Sequence, residues 1–224
     1  MPASTDLPAL LAAYLDRNVP AAARGGSRVL FSQTGAMCLK PGGRWSPFTA
    51  EQWMATDAVS FCWHARIKMA PLLTAVVEDA CEDGHGRLDV KLWGALPLSH
   101  EEGPRFDQGE AQRYLAELTW NPVALLRNPA LRFEERSDGA VRVQVGDPDT
   151  WVDLRFDAAG DIVGTWTEAR AYGDKGVFPW EGRFEDYTTL GGIRLPRRGA
   201  VSWHLPEGPF CYWRGEIVDL ELRD

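Results

Sequence analysis

Residues 59–69 have the sequence Val-Ser-Phe-Cys-Trp-His-Ala-Arg-Ile-Lys-Met, in which apolar residues alternate with mostly polar ones. Successive side chains of a β-strand point to opposite faces, so this period of two predicts a strand with one covered and one solvated face. The covered face takes every second residue of the stretch: Val59, Phe61, Trp63, Ala65, Ile67 and Met69. A sheet that is covered on one side is therefore the starting point for the fold.

The same period continues in both directions along the chain. Further strands are predicted at 27–39, 47–57, 72–82 and 87–98, and then at 131–136, 140–146, 150–157, 162–171, 178–189, 193–206 and 211–222. The turns between them are rich in Gly, Pro and Asp, as in Lys40-Pro-Gly-Gly43. Short turns between consecutive strands indicate two antiparallel meanders. On the last strand the apolar parity changes between Ile217 and Val218, which predicts a bulge.

Two helices interrupt the strands. Residues 5–18 have apolar residues at helical spacing, with Thr5 or Asp6 as the cap. The second helix is predicted at 107–120, where Asp107 and Glu110 have the spacing of a capping box, and one more turn is predicted at 123–126. We interpret the chain as a single domain with four parts: an N-terminal helix (1–20), a first β-meander (27–98), a central helix (107–126) and a second β-meander (131–222).

A flat sheet cannot accommodate about a dozen strands with only two helices to cover them. The predicted fold class is therefore mainly antiparallel β (α+β). It is a strongly curved half-barrel sheet of about a dozen strands, with the 107–120 helix on its concave face. A closed β-barrel is the alternative.

The charge of the chain argues against two classes of partner. The 224 residues carry a formal net charge of −8, and the arginines are scattered along the sequence. Nucleic acids and anionic membranes are bound by basic patches, so neither is expected as a partner. No apolar run is long enough for a transmembrane segment, and the first residues lack the pattern of a signal peptide. A cytoplasmic location is therefore expected.

Cysteine and histidine spacing gives no indication of a metal site. The four cysteines lie far apart without a CxxC pair, and they are expected to be free thiols: Cys38, Cys62, Cys81 and Cys211. None of the four histidines has a second His or Cys at ligand spacing. A GxSxG elbow and a glycine-rich phosphate loop are also missing from the sequence, so we assign no cofactor, no metal and no catalytic residue.

Tryptophan and arginine together suggest a binding site. The chain has ten Trp, and two stretches place Trp beside Arg: Phe178-Pro-Trp-Glu-Gly-Arg-Phe184 and Phe210-Cys-Tyr-Trp-Arg-Gly-Glu216. Rings of this size need thick cores or concave walls. One hypothesis is an apolar hollow lined by Trp63, Trp120, Trp180 and Trp213, whose polar rim is formed by Arg183 or Arg214 together with Glu181. The alternatives are that the rings are ordinary core and that Glu181 and Arg183 form an ion pair on the solvent face.

The central helix carries a second set of charges. Glu110, Arg113 and Glu117 are spaced at i,i+3 and i,i+4, so they lie along one side of the helix. Glu110 and Arg113 point into the hollow if the helix lines it. Otherwise they form a solvated helix face.

The order helix, meander, helix, meander is similar to the half-barrel of LolA-like lipoprotein carriers. Over about residues 30 to 220 the chain also resembles a bacterial family of unknown function. The matching segments are Lys40-Pro-Gly-Gly-Arg-Trp45, Met69-Ala-Pro71, Asp107-Gln-Gly-Glu110, Arg113-Tyr-Leu-Ala-Glu-Leu118, Trp120-Asn-Pro122 and Trp180-Glu-Gly-Arg183. The LolA resemblance implies a hollow that holds acyl chains, and the second resemblance implies no catalytic residues.

Three functions remain open. The first is a binding module that takes an apolar or amphipathic small molecule in the hollow of the curved sheet, and the surplus of Trp favours it. The second is an enzyme with an acid–base pair drawn from Glu110, Glu117, Glu181 and Asp186. The third is an interaction scaffold whose hollow is filled by its own side chains.

Overall fold

A computed structural model describes residues 7–224 of the chain. The helices are α1 (Ala9–Asn18), α2 (Pro104–Glu117) and α3 (Ala124–Arg127). The strands are β1 (Arg28–Cys38), β2 (Trp45–Ala55), β3 (Phe61–Ala70), β4 (Leu73–Glu82), β5 (His85–Leu92), β6 (Leu96–Glu102), β7 (Arg132–Glu135), β8 (Val141–Gln144), β9 (Trp151–Phe156), β10 (Ile162–Ala171), β11 (Val177–Leu190), β12 (Ile193–Leu205) and β13 (Gly208–Arg223).

The thirteen strands of residues 7–224 form one curved antiparallel sheet that does not close into a barrel. Its order from edge to edge is β6-β5-β4-β3-β2-β1-β13-β12-β11-β10-β9-β8-β7. The two meanders are joined by β1 and β13, which pair from Arg28 opposite Arg223 to Met37 opposite Trp213. The half-barrel prediction is confirmed. The closed-barrel alternative is wrong, because β6 and β7 lie at opposite edges of the sheet.

The first meander has six strands where five were predicted. The stretch 87–98 is two strands, because the chain turns at Trp93 and Gly94, with φ of 53° and 77°. A bulky residue strongly disfavours this left-handed region, so the sequence does not suggest a turn there. Bonds to the neighbouring hairpin hold the turn: the backbone N–H of Trp93 donates to Thr74 and its indole N–H donates to the Leu72 carbonyl, both at 2.8 Å. The meander therefore ends at Glu102 rather than at residue 98.

The helices differ from the prediction mainly at their first turns. α1 ends at Asn18 as predicted, whereas the predicted cap, Thr5 or Asp6, lies outside the described residues. α2 begins at Pro104 and ends at Glu117, three residues before the predicted bounds at each end. Asp107 is not a cap, because its Oδ1 accepts a hydrogen bond from the N–H of Gly86 at 2.7 Å. The capping-box prediction is therefore wrong, and α3 supplies the predicted extra turn.

The bulge predicted on β13 is confirmed. Pairing with β1 passes from Ile217 to Asp219 and leaves Val218 out of register. As a result Ile217 and Leu220 are both buried, whereas Val218 is half exposed.

α2 lies on the concave face of the sheet. It contacts β4 and β5 in the first meander and β9 and β10 in the second, which is possible only inside the curve. This placement, which the strand pattern predicted, puts the charged side of the helix against the inner wall. Within residues 7–224 no helix is long and apolar enough to cross a lipid bilayer.

Candidate functional site

A small cavity lies between α2 and the concave face. Its floor is one row of residues that are opposite each other across five adjacent strands. In register order they are Met37, Trp213, Val201, Gly182 and Thr165. All five border the cavity, which has a volume of about 110 Å³. Strand pairing therefore aligns residues that are up to about 180 positions apart in the sequence onto one wall.

Four tryptophan rings border this cavity: Trp63, Trp120, Trp180 and Trp213. All four are buried. Three of their indole N–H groups donate hydrogen bonds inside the protein: Trp63 to Gln33 Oε1 at 2.7 Å, Trp120 to the Pro196 carbonyl at 2.9 Å and Trp180 to the Tyr212 hydroxyl at 3.1 Å. Because those polar atoms are satisfied, the rings present mainly apolar surface to the cavity.

The opposite wall is charged. Arg113 of α2 donates from Nε to Glu117 Oε1 at 2.9 Å and from Nη1 to Asp79 of β4. The guanidinium also lies 4.9 Å from the ring centre of Phe61 and 5.3 Å from that of Trp63. Arg113, Asp79 and Glu117 all border the cavity and are largely shielded from solvent. The arginine is therefore fixed by two carboxylates and two ring faces.

Arg170 of β10 is the second cation of the cavity. Its guanidinium lies 4.3 Å from the ring centre of Trp180, and its Nη2 is 3.4 Å from Glu110 Oε1. Its Nη1 is buried and has no hydrogen-bond partner among residues 7–224, and the same is true of Thr165 Oγ1 and Asp79 Oδ1. Unsatisfied buried polar atoms are costly. Two donors, Arg170 and Thr165, are therefore available to an acceptor group that enters the cavity.

Glu110 of α2 is a carboxyl whose pKa is strongly perturbed by its surroundings. Burial, followed by repulsion from Asp79, raises the pKa of Glu110 to about 8, although Arg170 and Arg113 oppose the shift. Burial also raises the pKa of Asp79, against the effect of Arg113. Glu110 is therefore largely protonated at neutral pH.

We expect the free energy of unfolding to fall as pH rises from about 5 to about 8. The pKa of Glu110 is about 8 in the folded protein and near 4.5 in the unfolded chain. The folded state therefore binds more protons than the unfolded state across this pH window. The stabilisation is complete below the unfolded pKa and is lost as pH rises through the folded one. Urea unfolding at several pH values measures the slope. Glu110→Gln should reduce this dependence of stability on pH. The control, Glu185→Gln, changes an exposed residue on the opposite face of the sheet and should leave the dependence unchanged. A dependence that persists in Glu110→Gln would contradict the assignment to Glu110.

A larger groove of about 1,200 Å³ adjoins the cavity. Met37, Arg170 and Tyr212 border both spaces. Aromatic rings continue along the groove, with Tyr172 and Trp203 4.8 Å apart and Trp203 stacked on Tyr212 at 6.2 Å between ring centres. A molecule with its apolar end in the cavity can therefore extend over an aromatic surface into the groove.

The predicted arginine rim is not at this cavity. Glu181, Arg183 and Arg214 lie on the opposite face of the sheet, because each alternates with a ring that faces inward. Glu181 pairs there with Arg183 at 3.1 Å and with His204 at 3.0 Å, and Arg214 lies over the ring of Trp45. The structure thus has the alternative arrangement, an ion pair between Glu181 and Arg183 on the solvent face. Arg113 and Arg170 occupy the position that had been assigned to Arg183 and Arg214.

Sequence reasoning missed Asp79, Thr165 and Arg170. Asp79 had a detectable signal, because it follows Ala75 and Val77 on the inward row of β4, where a carboxylate is unusual. Arg170 had none, because the pairing of β10 with β11 is irregular between Thr167 and Arg170 and strand parity is lost there.

The positions of the carboxylates reduce the number of candidates for an acid–base pair in an enzyme. A carboxyl that keeps its proton at neutral pH can act as a general acid. Of the four carboxylates considered for an enzyme, Glu110 borders the groove and Glu117 borders the cavity, whereas Glu181 and Asp186 lie elsewhere. Glu117 is engaged by Arg113. Glu110 is thus the one of the four that combines burial, a raised pKa and a position at the groove.

The chain matches a known protein family over nearly its whole length. The profile of DUF6920, described as a family of unknown function, matches residues 5–222. This chain belongs to the DUF6920 family. The sequence resemblance to a family of unknown function is thereby confirmed. No curated protein matches the sequence.

Solved structures resemble this DUF6920 protein at low sequence identity. A Vibrio parahaemolyticus domain named for outer membrane lipoprotein sorting is 9% identical with a TM-score of 0.51, covering 95% of this chain and 90% of that one. A LolA superfamily protein from Nitrosomonas europaea is 12% identical with a TM-score of 0.43, covering 96% and 92%. A DUF1329 protein from Desulfovibrio piger is 9% identical with a TM-score of 0.48, covering 95% and 90%. The Vibrio likeness shows a shared fold.

The cysteines and potential metal ligands of this DUF6920 member are dispersed. All four cysteines are unpaired, and burial raises the pKa of Cys81 to about 12. In the part of the chain from residue 7 onward, His, Cys, Asp and Glu side chains do not gather in groups of three that could hold a metal ion.

Proposed function

We propose that this DUF6920 protein binds an amphipathic small molecule in the hollow between α2 and the curved sheet. The apolar end of the ligand occupies the cavity lined by the four tryptophans, and an acceptor group, such as a carboxylate, bonds to Arg170 and Thr165. The observation that supports this most directly is the combination of ring walls with the unpartnered Arg170 Nη1 and Thr165 Oγ1, both buried within the described residues. A mainly apolar pocket with a few polar groups is the usual form of a small-molecule site.

The size of the cavity limits which part of a ligand it holds. An apolar cavity of about 150 Å³ is large enough to bind benzene. The observed cavity of about 110 Å³ is smaller and therefore accepts the end of a chain, but not a whole acyl chain. The remainder of the molecule lies in the adjoining groove, which is about ten times larger and shares Met37, Arg170 and Tyr212 with the cavity.

Dodecanoate should bind saturably and change the tryptophan emission, because four indoles border the cavity. Arg170→Met should weaken binding about tenfold to a hundredfold through loss of a charge-assisted hydrogen bond. Thr165→Val, which keeps the shape of the side chain, should weaken it by a smaller factor. Fluorescence titration of the three proteins measures these changes.

Arg183→Met is the matched control, because it removes an arginine from the opposite face. It should leave the affinity for dodecanoate unchanged. An equal loss for Arg183→Met and Arg170→Met, or no saturable binding by the unaltered protein, would contradict the proposal.

A further inference from the structure

Exposed apolar side chains are concentrated at one rim of the curved sheet. Seven large apolar residues in 7–224 are exposed: Leu39, Leu72, Trp93, Leu96, Leu98, Val177 and Val218. Leu72 is 94% exposed and Trp93 is 58% exposed. Three of the seven, Leu39, Leu72 and Trp93, lie in the connections β1–β2, β3–β4 and β5–β6, and Leu96 and Leu98 follow the last of these at the start of β6. We call residues 39–44, 71–72 and 93–98 the apolar rim.

Topology places these connections together. In an antiparallel meander successive turns alternate between the two rims, so the turns after β1, β3 and β5 share one rim. Val177, which follows the turn after β10, is at the same rim. The two most prominent turns are bonded to each other, because the indole N–H of Trp93 donates to the Leu72 carbonyl. Leu72 and Trp93 therefore form one protruding unit.

The backbone at these two residues is unfavourable. Leu72 has φ of 62° and Trp93 has φ of 53°, a region that bulky residues rarely occupy. Glycine or asparagine would adopt the same turns with less strain. Strained positions of this kind concentrate at functional sites, and here the strain keeps two large apolar side chains in solvent.

Charge also differs between the two rims of the first meander. The segments 39–44, 68–74 and 91–99 contain Lys40, Arg44, Lys68 and Lys91 and no Asp or Glu. At the opposite rim of the first meander, the connections after β2 and β4 contain Asp57 and Asp83 and no Lys or Arg. In the second meander, the connections on the side of the apolar rim carry Asp147, Asp149, Asp174 and Glu207, so the basic character is confined to the first meander. The net charge of −8 argued against an anionic surface as a partner, but it averages over these two rims. The apolar rim itself is basic.

We propose that the apolar rim docks on the surface of an anionic lipid bilayer. Leu72 and Trp93 enter the headgroup region with Leu96, and the four cations lie near the lipid phosphates. Apolar and aromatic side chains flanked by Lys and Arg are the composition of interfacial membrane contacts. Each cation near an anionic leaflet adds to binding. A protein partner fits less well, because the exposed residues are divided among three connections and the start of β6 rather than forming a continuous apolar face.

Docking in this orientation would bring the groove to the bilayer. Leu39 belongs to the apolar rim and also borders the groove, next to Met37 and Cys38. An amphipathic molecule could then pass between the bilayer and the groove. Docking itself does not depend on the proposed ligand, so the two can be tested separately.

Flotation of the full chain with lipid vesicles tests the docking. Vesicles of equal parts phosphatidylcholine and phosphatidylglycerol should carry the protein upward, and vesicles of phosphatidylcholine alone should carry much less. The double variant Leu72→Asn/Trp93→Asn should lower the partition coefficient at least about tenfold, because two large apolar side chains are removed. Asparagine tolerates the left-handed backbone, so the fold should be kept. Lys68→Gln and Lys91→Gln should each lower the coefficient about fivefold.

Val218→Thr is the matched control, since it removes an exposed apolar side chain from the middle of β13. It should float with vesicles like the unaltered protein. Failure to float with anionic vesicles, equal flotation with both compositions, or flotation that the double variant retains would each overturn the proposal. A dimer that the double variant abolishes, without vesicle binding, would also overturn it and assign the rim to a second copy of the chain.

Discussion

Replacing Arg113 with methionine should lower the free energy of unfolding by about 3–5 kcal/mol, because breaking one side of a buried ion cluster leaves its partners uncompensated. Arg113 bonds to Asp79 and Glu117, and each of the three side chains is about 15% exposed. Methionine fills a similar length of the site but carries no donor. The variant would therefore leave the buried Asp79 and Glu117 without their bonds to Arg113, with Arg170 as the remaining cation of the cavity.

A double-mutant cycle separates this cause from loss of packing. Urea unfolding gives the free energies of Arg113→Met, Asp79→Asn and the combined variant. If the penalty arises from an unpaired carboxylate, Asp79→Asn should recover part of the loss when it is added to Arg113→Met. Additive losses would show that the arginine stabilises the protein through its contacts with Phe61 and Trp63 instead. A loss below about 1 kcal/mol for Arg113→Met would contradict a buried role altogether.

Trp120→Ala should cost about 3–5 kcal/mol of stability, as is usual for a large aromatic residue in a core. Trp120 follows α2, is 2% exposed and packs against Phe184, Trp213 and Phe31 with ring centres 5.3, 5.8 and 6.3 Å away. A Cβ at Gly199 would lie 2.8 Å from this indole, so that glycine makes room for it. One side chain thus joins the segment after α2 to both meanders.

The control for Trp120→Ala is Trp93→Asn, which removes an exposed tryptophan. Its stability should change by less than about 1 kcal/mol, because loss of the indole hydrogen bond to Leu72 is offset by relief of the left-handed backbone. Added indole offers a second readout. If Trp120→Ala leaves a cavity that stays open, indole should bind there and raise the urea midpoint of the variant but not of the unaltered protein. A small loss for Trp120→Ala, equal to that of Trp93→Asn, would mean that the ring is not a central packing element.

The predictable parts of the fold are those that depend on local pattern. Alternation in 59–69 places Phe61 and Trp63 on the covered face, and both are buried. The parity change after Ile217 located a bulge correctly. The turn at Trp93 and Gly94 could not be predicted in this way, because Trp93 occupies a left-handed backbone that bulky residues disfavour and is held there by bonds to Leu72 and Thr74 of another hairpin.

The sequence by itself determined which face of each strand is apolar, that the sheet must curve, and that a charged helix lies between the two meanders. Only the tertiary structure decided which charges meet in the hollow. Asp79, Arg113 and Arg170 come from β4, α2 and β10, and they are brought together by sheet curvature and strand register. Periodicity assigns a side chain to a face, but a contact between distant segments depends on the path of the whole chain. For this reason the sequence could propose the four tryptophans, whereas the arginines that accompany them had to be found in the folded protein.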